Sequence, residues 1–185
     1  MTASVDPVEV RWGLPPPHRR RVAEMCYEAF RPKFEPILRS RQHGIAILER
    51  DLNPDLIAVA ECEERLAGMV GLEYGGRYFF NPRVSTFAHE FGRVRGILRL
   101  ALFWPFARHR GAGDPTVGAI AVVASMRGRG VGTRLMQAVF DFARAQVFRS
   151  VSLEVVDTNP GARRLYERLG FVPVETRRYP WASVL

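Results

Sequence analysis

The chain has 185 residues, of which 47% are apolar and 25% charged, and it carries a net charge of +8. That is length for one globular domain burying about 70% of the surface its unfolded form exposes, with the composition of an ordinary soluble protein. No stretch approaches the roughly 18 uninterrupted apolar residues of a membrane span, and two cysteines at no metal-ligand spacing, Cys26 and Cys62, exclude a disulfide framework or a cysteine-held metal.

The N-terminus, MTASVDPVEVRWG, lacks an apolar signal core, which predicts a retained N-terminus and a cytoplasmic protein. Of the basic residues only Lys33 is a lysine. Such a surface favours anionic ligands, whether nucleic acid, acidic lipid or a polyphosphate cofactor. It fits a genome-wide taste for arginine equally well.

In chain order, VEVRWGL at 8–14 predicts a first strand, ended by Pro15-Pro16-Pro17. HRRRVAEMCYEAF at 18–30 carries Val22, Met25, Cys26, Ala29 and Phe30 at helical spacing. Pro32 and Pro36 interrupt before a second helical region, weakened at Gly44. LIAVAEC, a charged turn at Glu63-Glu64-Arg65, and LAGMVGLEY then predict a hairpin. Residues 75–115 differ from their surroundings. An inserted helical segment at about 82–112 has Phe87, Phe91, Val94, Leu98 and Ala101 near one face, arginines between them, and a stop expected at Pro105. It suits a lid, a homodimer-forming element or a membrane-surface helix.

The last third is the most regular. TVGAIAVVA at 116–124 is a near-continuous apolar run, as in a strand buried on both faces. SMRGRGVG follows, then a helix with Val131, Leu135, Val139 and Phe142 along one stripe. SVSLEVVD at 150–157 predicts a strand parallel to the first of this unit, joined by a right-handed crossover. NPGARRLYERLG predicts a short helix with Asn159 at the N-cap, Pro160 at its first position and Gly170 at its stop, and FVPVETRR a closing strand.

A buried strand that breaks into glycines and restarts as a helix leaves peptide N–H groups without partners, and the helix N-terminus adds partial positive charge. That combination suits a phosphate. Gly128, Gly130 and Gly132 remove side chains that would hold an anion away, and Arg127 and Arg129 add charge at the rim. A plain tight turn would need one glycine. The P-loop string G-x-x-x-x-G-K-[ST] is absent. A dinucleotide fingerprint begins at Gly128 and Gly130 but finds Thr133 where its third glycine belongs, although Glu154 falls where an acidic ribose ligand would lie. The third pattern, R/Q-x-x-G-x-G/A, is met by Arg127, Gly130 and Gly132.

On these residues the chain resembles the GNAT N-acetyltransferase superfamily. IAVV, MRGRGVG and TRLM are similar to its acetyl-CoA-binding motif, and LEVVDTNPGARRLYERLGFVPV is similar to its next motif. The resemblance is strong over 116–175, rests on element order from 5 to 74, and is absent across 75–115. It implies an α/β (α+β) single domain over 1–185, with a central, mostly antiparallel mixed sheet, helices on both faces, and a parallel strand pair splayed around the CoA arm.

The resemblance also implies roles. The backbone of Ile120, Ala121 and Val122 would meet the thioester and pantetheine arm. The amides of Arg127, Gly128, Arg129, Gly130, Val131, Gly132 and Thr133 would clasp the pyrophosphate. Asn159 and Ala162 would border the arm, and Tyr166 would protonate the departing thiolate; read alone, Asn159 is a helix cap and Tyr166 a core aromatic. The proton acceptor is open, because Thr116 and Val117 begin a strand where many members carry a glutamate. Glu154 is the first candidate, since a carboxylate inside an apolar strand needs a partner or a raised pKa; its other reading is an ion pair with arginine. Glu73, His89 and Glu90 follow. No metal is implied.

The implied reaction is direct attack of a primary amine on acetyl-CoA in a ternary complex, with acetyl-CoA as cosubstrate. The acceptor is a small molecule or a peptide N-terminus. Arg93, Arg95, Arg99, Arg108 and Arg110, should they roof its pocket, disfavour a polycation. Rival readings are a non-catalytic CoA-binding or regulatory module, a dinucleotide-binding protein and a nucleic-acid binder; no helix-turn-helix spacing or stacking platform supports specific nucleic-acid recognition.

Overall fold

The computed structural model describes residues 8–107, 113–155 and 159–176. Its contacts divide it into two compact units, one ending at Leu153 and one beginning at Glu154.

The first unit is built on a six-stranded sheet. β1 (Glu9–Trp12) is followed by three helices, α1 (Arg19–Ala29), α2 (Arg31–Leu38) and α3 (Arg41–Asp51). β2 (Ile57–Cys62) and β3 (Arg65–Tyr74) form the expected hairpin, turning on Glu63 and Glu64 at φ of 49° and 60°. A short β4 (Arg77–Tyr78) precedes two helices, α4 (Val84–Phe91) and α5 (Arg93–Ala107). Then come β5 (Thr116–Val122), α6 (Val131–Ala145) and β6 (Ser152–Leu153). The strand order is β1-β2-β3-β5-β6, with β4 hung on β3. All pairings are antiparallel except β5 with β6. This is the mixed, mostly antiparallel sheet that the resemblance implies.

Side chains alternate across a strand, so each face takes its own helices. On one face Val59, Met69 and Ala119 join a continuous apolar core with Val22, Cys26 and Tyr27 of α1, Ile47 and Leu48 of α3, and Phe87 and Phe103 of the inserted helices. On the other, Trp12 and Tyr74 stack against Phe142 of α6 at 5.0 and 5.4 Å. Val131, Leu135, Met136 and Val139 are buried on α6, three of them on the stripe read from the sequence, whose fourth member, Phe142, is half-buried.

Several elements depart from the sequence reading. The second helical region is two helices, parted at Arg39, whose φ of 54° ends α2, and Ser40. Pro32 sits in the first turn of α2, where its missing N–H costs nothing, while Pro36 lies inside the helix. The insert is a helical hairpin broken at Gly92, not one helix. α5 continues to Ala107, past Pro105, whose missing N–H forfeits a backbone bond without ending the helix there. Arg108 and Arg110 lie outside the described residues.

Asp51 ties the insert to the core. Its side chain is fully buried and accepts from Arg83 Nε at 2.7 Å, from the Arg83 backbone N–H at 2.9 Å and from Thr86 Oγ1 at 2.7 Å. A carboxylate from the end of α3 thus caps the start of α4, which has no local side-chain cap.

The strand expected at 150–157 is Ser152–Leu153. β5 and β6 pair only as Thr116↔Ser152 and Val117↔Leu153, at the beginning of β5. Among the described residues, Ala119–Val122 therefore have no parallel partner. In the second unit α7 (Pro160–Arg168) starts at the predicted cap, Asn159, and Gly170 follows it at φ 89°. No strand forms over 171–176; the last two residues of the predicted closing strand lie outside the described residues.

Candidate functional site

The site begins with β5, which pairs antiparallel with β3 through Val70↔Ile120, Met69↔Ala121 and Gly68↔Val122. Ile120, Ala121 and Val122 are each half-buried. A sheet strand whose other edge lacks a partner offers its N–H and C=O groups to an extended ligand. Among the described residues, Ala119–Val122 have no strand on that edge.

Past β5 the chain makes a 3₁₀ turn at Ala124–Met126 and then the glycine loop. Gly128 has φ 75° and Gly130, the N-cap of α6, has φ 80°. Both are left-handed conformations that an L side chain adopts at a cost of roughly 1–2 kcal/mol. A Cβ at either position would meet nothing within 4 Å, so the loop faces open space. Gly132 is already inside α6 and needs no special φ. Two of the three glycines are thus conformational.

α6 has no side-chain cap and no acidic residue in its first turn. Its first intrahelical bond from the loop is Arg134 N to Gly130 O at 3.0 Å, which leaves the N–H groups of Val131, Gly132 and Thr133 aimed out of the helix end. Arg127 and Arg129 are exposed beside them, the former only 3.4 Å from the Val122 carbonyl through Nε. Outward amides at a helix end with exposed positive charge beside them suit an anion.

In the second unit, Asn159 Oδ1 accepts from Ala162 N at 3.1 Å, so Asn159 caps α7 as its residue type predicts, and the Ala162 amide is engaged there. Tyr166 is buried, edge-on to Phe171 at 5.9 Å. Burial raises its phenol above the ordinary value of 10, so the group stays protonated through neutral pH. Glu154 lies past the end of β6 and is exposed. The premise of a carboxylate inside an apolar strand does not hold for it, because the ladder stops at Leu153.

The other carboxylates separate by environment. Glu90 and His89 on α4 both engage Arg50, at 2.9 and 3.1 Å. Glu73 is different. It is one of three buried polar or charged residues in the described chain, with Asp51 and Thr86, and it pairs across the sheet with Thr116. The β3–β5 register shifts beside it, making Gly118 the extra residue of a bulge. A Cβ on Gly118 would stand 2.5 Å from Glu73 Oε1. The glycine is what lets this carboxylate lie against the backbone of β5. The sequence ranks Glu73 behind Glu154; what sets it apart is the cross-strand register, which brings a residue from the end of one apolar run beside the beginning of another.

Among the described residues no group of three His, Cys, Asp or Glu side chains gathers to hold a metal.

The comparisons agree with this architecture. Residues 23–171 match the model of the Acetyltransferase (GNAT) family. The chain is 44% identical over 52 residues to the Probable N-acetyltransferase camello of Xenopus tropicalis, which is 28% of this chain and 24% of the relative. It is 40% identical over 83 residues to N-alpha-acetyltransferase RimI of Mycobacterium tuberculosis, 45% of this chain and 46% of that one. The chain thus spans less than half the length of these curated relatives. Two solved structures share the fold at low identity. N-acetyltransferase from Staphylococcus aureus Mu50 superposes with a TM-score of 0.67 at 17% identity, covering 92% of this chain and 93% of its own. Aminoglycoside N-Acetyltransferase AAC(6')-Iy in complex with CoA gives 0.59 at 15% identity, covering 97% of each. With four-fifths of its length inside the family model, the chain belongs to the GNAT acetyltransferase family.

Proposed function

We propose that the protein moves an acetyl group from acetyl-CoA to a primary amine by direct attack in a ternary complex. The observation that carries this reading is the uncapped start of α6 behind two left-handed glycines, directly after a strand that, among the described residues, pairs on its β6 side only at Thr116 and Val117. The pyrophosphate would rest on the amides from Arg127 to Thr133, and the pantetheine arm along the backbone of Ile120, Ala121 and Val122. Acetyl-CoA supplies the activated thioester; the protein supplies position, a donor at the developing oxyanion and proton transfer. No acyl-enzyme is involved, so neither cysteine takes part.

Tyr166 is assigned as proton donor to the leaving thiolate, in keeping with a phenol held protonated by burial. The amine has a pKa of about 10 and arrives protonated, so a base is required. Glu73 is the better-supported proton acceptor: it is buried, it lies against β5 at Gly118, and Ile120 is only two residues, about 6–7 Å, further along the strand. That separation leaves room for one relaying water. Glu154, exposed in the second unit, is retained as the comparison to test against it. The acceptor is proposed as a small-molecule amine or a protein N-terminus.

Thermal-shift measurements with acetyl-CoA, CoA and NAD test the cosubstrate, since a ligand that binds only the folded state raises Tm. The expected result is a rise with both CoA species and none with NAD. Release of free thiol from acetyl-CoA across a panel of amines then separates an enzyme from a non-catalytic CoA-binding module, which would bind without turnover.

A further inference from the structure

α5 has two apolar sides and only one of them is used. Gly96, Leu100 and Phe103 face inward. A Cβ on Gly96 would stand 2.5 Å from the Phe87 carbonyl oxygen, and the Phe103 ring meets those of Phe34 and Phe87 at 5.2 and 6.0 Å. The helix therefore cannot roll to bury its other side. That side carries Val94, Ile97, Leu98 and Leu102, between 56 and 82% exposed, with Ala101 exposed among them. At 100° per residue these five positions fall within an arc of about 140°. Arg93 and Arg95 lie exposed along its two margins.

Beside the Arg95 margin is a cleft of about 340 Å³ between the α2–α3 junction, α4 and α5. Arg39, Arg95, Arg99 and His43 line it together with the Phe91 ring. Arg99 is committed: it donates to the Ile37 carbonyl at 2.8 Å and lies over Phe91 at 4.2 Å. The one carboxylate in the lining, Glu90, is held by Arg50. Arg39 and Arg95 make no ion pair among the described residues, so the cleft presents two available guanidinium groups next to the apolar stripe.

Three coverings suit an apolar helix face: another segment, a second copy, or a lipid surface. α5 contains no acidic residue. A two-fold contact with a second copy would set arginine margins against arginine margins with nothing to neutralise them. An anionic bilayer matches both features at once, taking the aliphatic side chains at its acyl boundary and the arginines at its phosphates. No described helix is long and apolar enough to cross a membrane, so the contact is one of lying on the surface.

We propose that α5 docks the protein on anionic membranes, with Val94, Ile97, Leu98, Ala101 and Leu102 in the bilayer interface and Arg39 and Arg95 on headgroup phosphates. The inference does not depend on acetyl transfer. Its test is co-sedimentation with vesicles of phosphatidylcholine alone or mixed with phosphatidylglycerol, at low and high salt. Binding is expected to the mixed vesicles only, and to weaken with salt. Val94→Glu with Leu98→Glu should abolish it. Arg95→Gln with Arg39→Asn, the asparagine chosen to tolerate the left-handed backbone at that position, should weaken it roughly tenfold or more. All four side chains are exposed, so Tm should hold in both double variants. Failure of the wild type to bind mixed vesicles overturns the proposal. So does binding that survives the glutamate pair, which would reduce it to adsorption of a protein of net charge +8. A wild-type dimer that the glutamate pair dissociates, with no vesicle binding, overturns it in favour of a second copy.

Discussion

At Glu73 two properties that are usually opposed occur together: a carboxylate is buried, and it is pressed against the backbone of the strand leading to the glycine loop. Glu73→Gln keeps the shape and removes the proton acceptor. If Glu73 is the base, kcat/KM at neutral pH should fall by about 10²-fold, with acetyl-CoA affinity unchanged. The loss should shrink as pH approaches 10, where the amine deprotonates itself. A merely structural role would leave the shape of the pH profile alone. Glu154→Gln serves as the control, and a larger loss there would return the role to Glu154. Gly118→Ala should mimic Glu73→Gln, since its methyl occupies the carboxylate's position. Tyr166→Phe should lower kcat by about 10²-fold without changing KM for acetyl-CoA; unchanged turnover removes it as the acid. The glycine loop was legible because three glycines between an apolar run and a helix have few explanations. Glu73 stood in the sequence only as a candidate behind Glu154, because its burial arises from pairing between residues more than forty positions apart.

At the scale of elements, the insert is held by two pins of different kinds. One is the Asp51 carboxylate with its three donors from Arg83 and Thr86, the other the close α4–α5 crossing at Gly96. Asp51→Ala leaves those donors without their acceptor in a buried position and should cost about 3 kcal/mol in urea unfolding. Gly96→Ala drives a methyl into backbone and should cost about 1–3 kcal/mol. In the loop, Gly130→Ala should weaken acetyl-CoA binding, because it strains the left-handed N-cap and thus the direction of the α6 amides. Calorimetry on that variant checks it; unaltered affinity would mean the loop is not the anion cradle. The helical periodicity of the insert was visible in sequence, and so were its arginines. Its division at Gly92 and its long-range cap were not, since both depend on what α3 offers to α4. The shortened β6 has a similar origin: SVSLEVVD has strand propensity throughout, but propensity without a paired edge does not make a ladder.

For the molecule as a whole, the buried weak acids set how it responds to alkali. Burial pushes the Cys26 thiol up to about 12, and burial also raises the phenols of Tyr166 and Tyr27, the latter with help from the Glu35 carboxylate. In each case the folded state holds its proton more tightly than the unfolded chain, where cysteine loses it at about 8.5 and tyrosine at about 10. Between the unfolded and folded values the native protein therefore binds more protons than the unfolded one, and stability falls as pH rises. The contribution is intact below pH 8.5 and is lost in two stages, first from cysteine and then, above pH 10, from tyrosine as well. Urea midpoints measured from pH 7 to 11 should be flat at first and then decline with a slope that steepens past 10. Cys26→Ala should lower the whole curve by a cavity cost of about 1 kcal/mol while flattening its first stage. A native thiol reagent assay gives the kinetic counterpart: Cys26, fully buried in the core with α1, should react only on unfolding. A midpoint that stays level from pH 9 to 11, or a Cys26 that is modified in the folded protein, would mean that the face of the sheet carrying α1 and α3 is open to solvent and that the core described for it does not exist as one packed body.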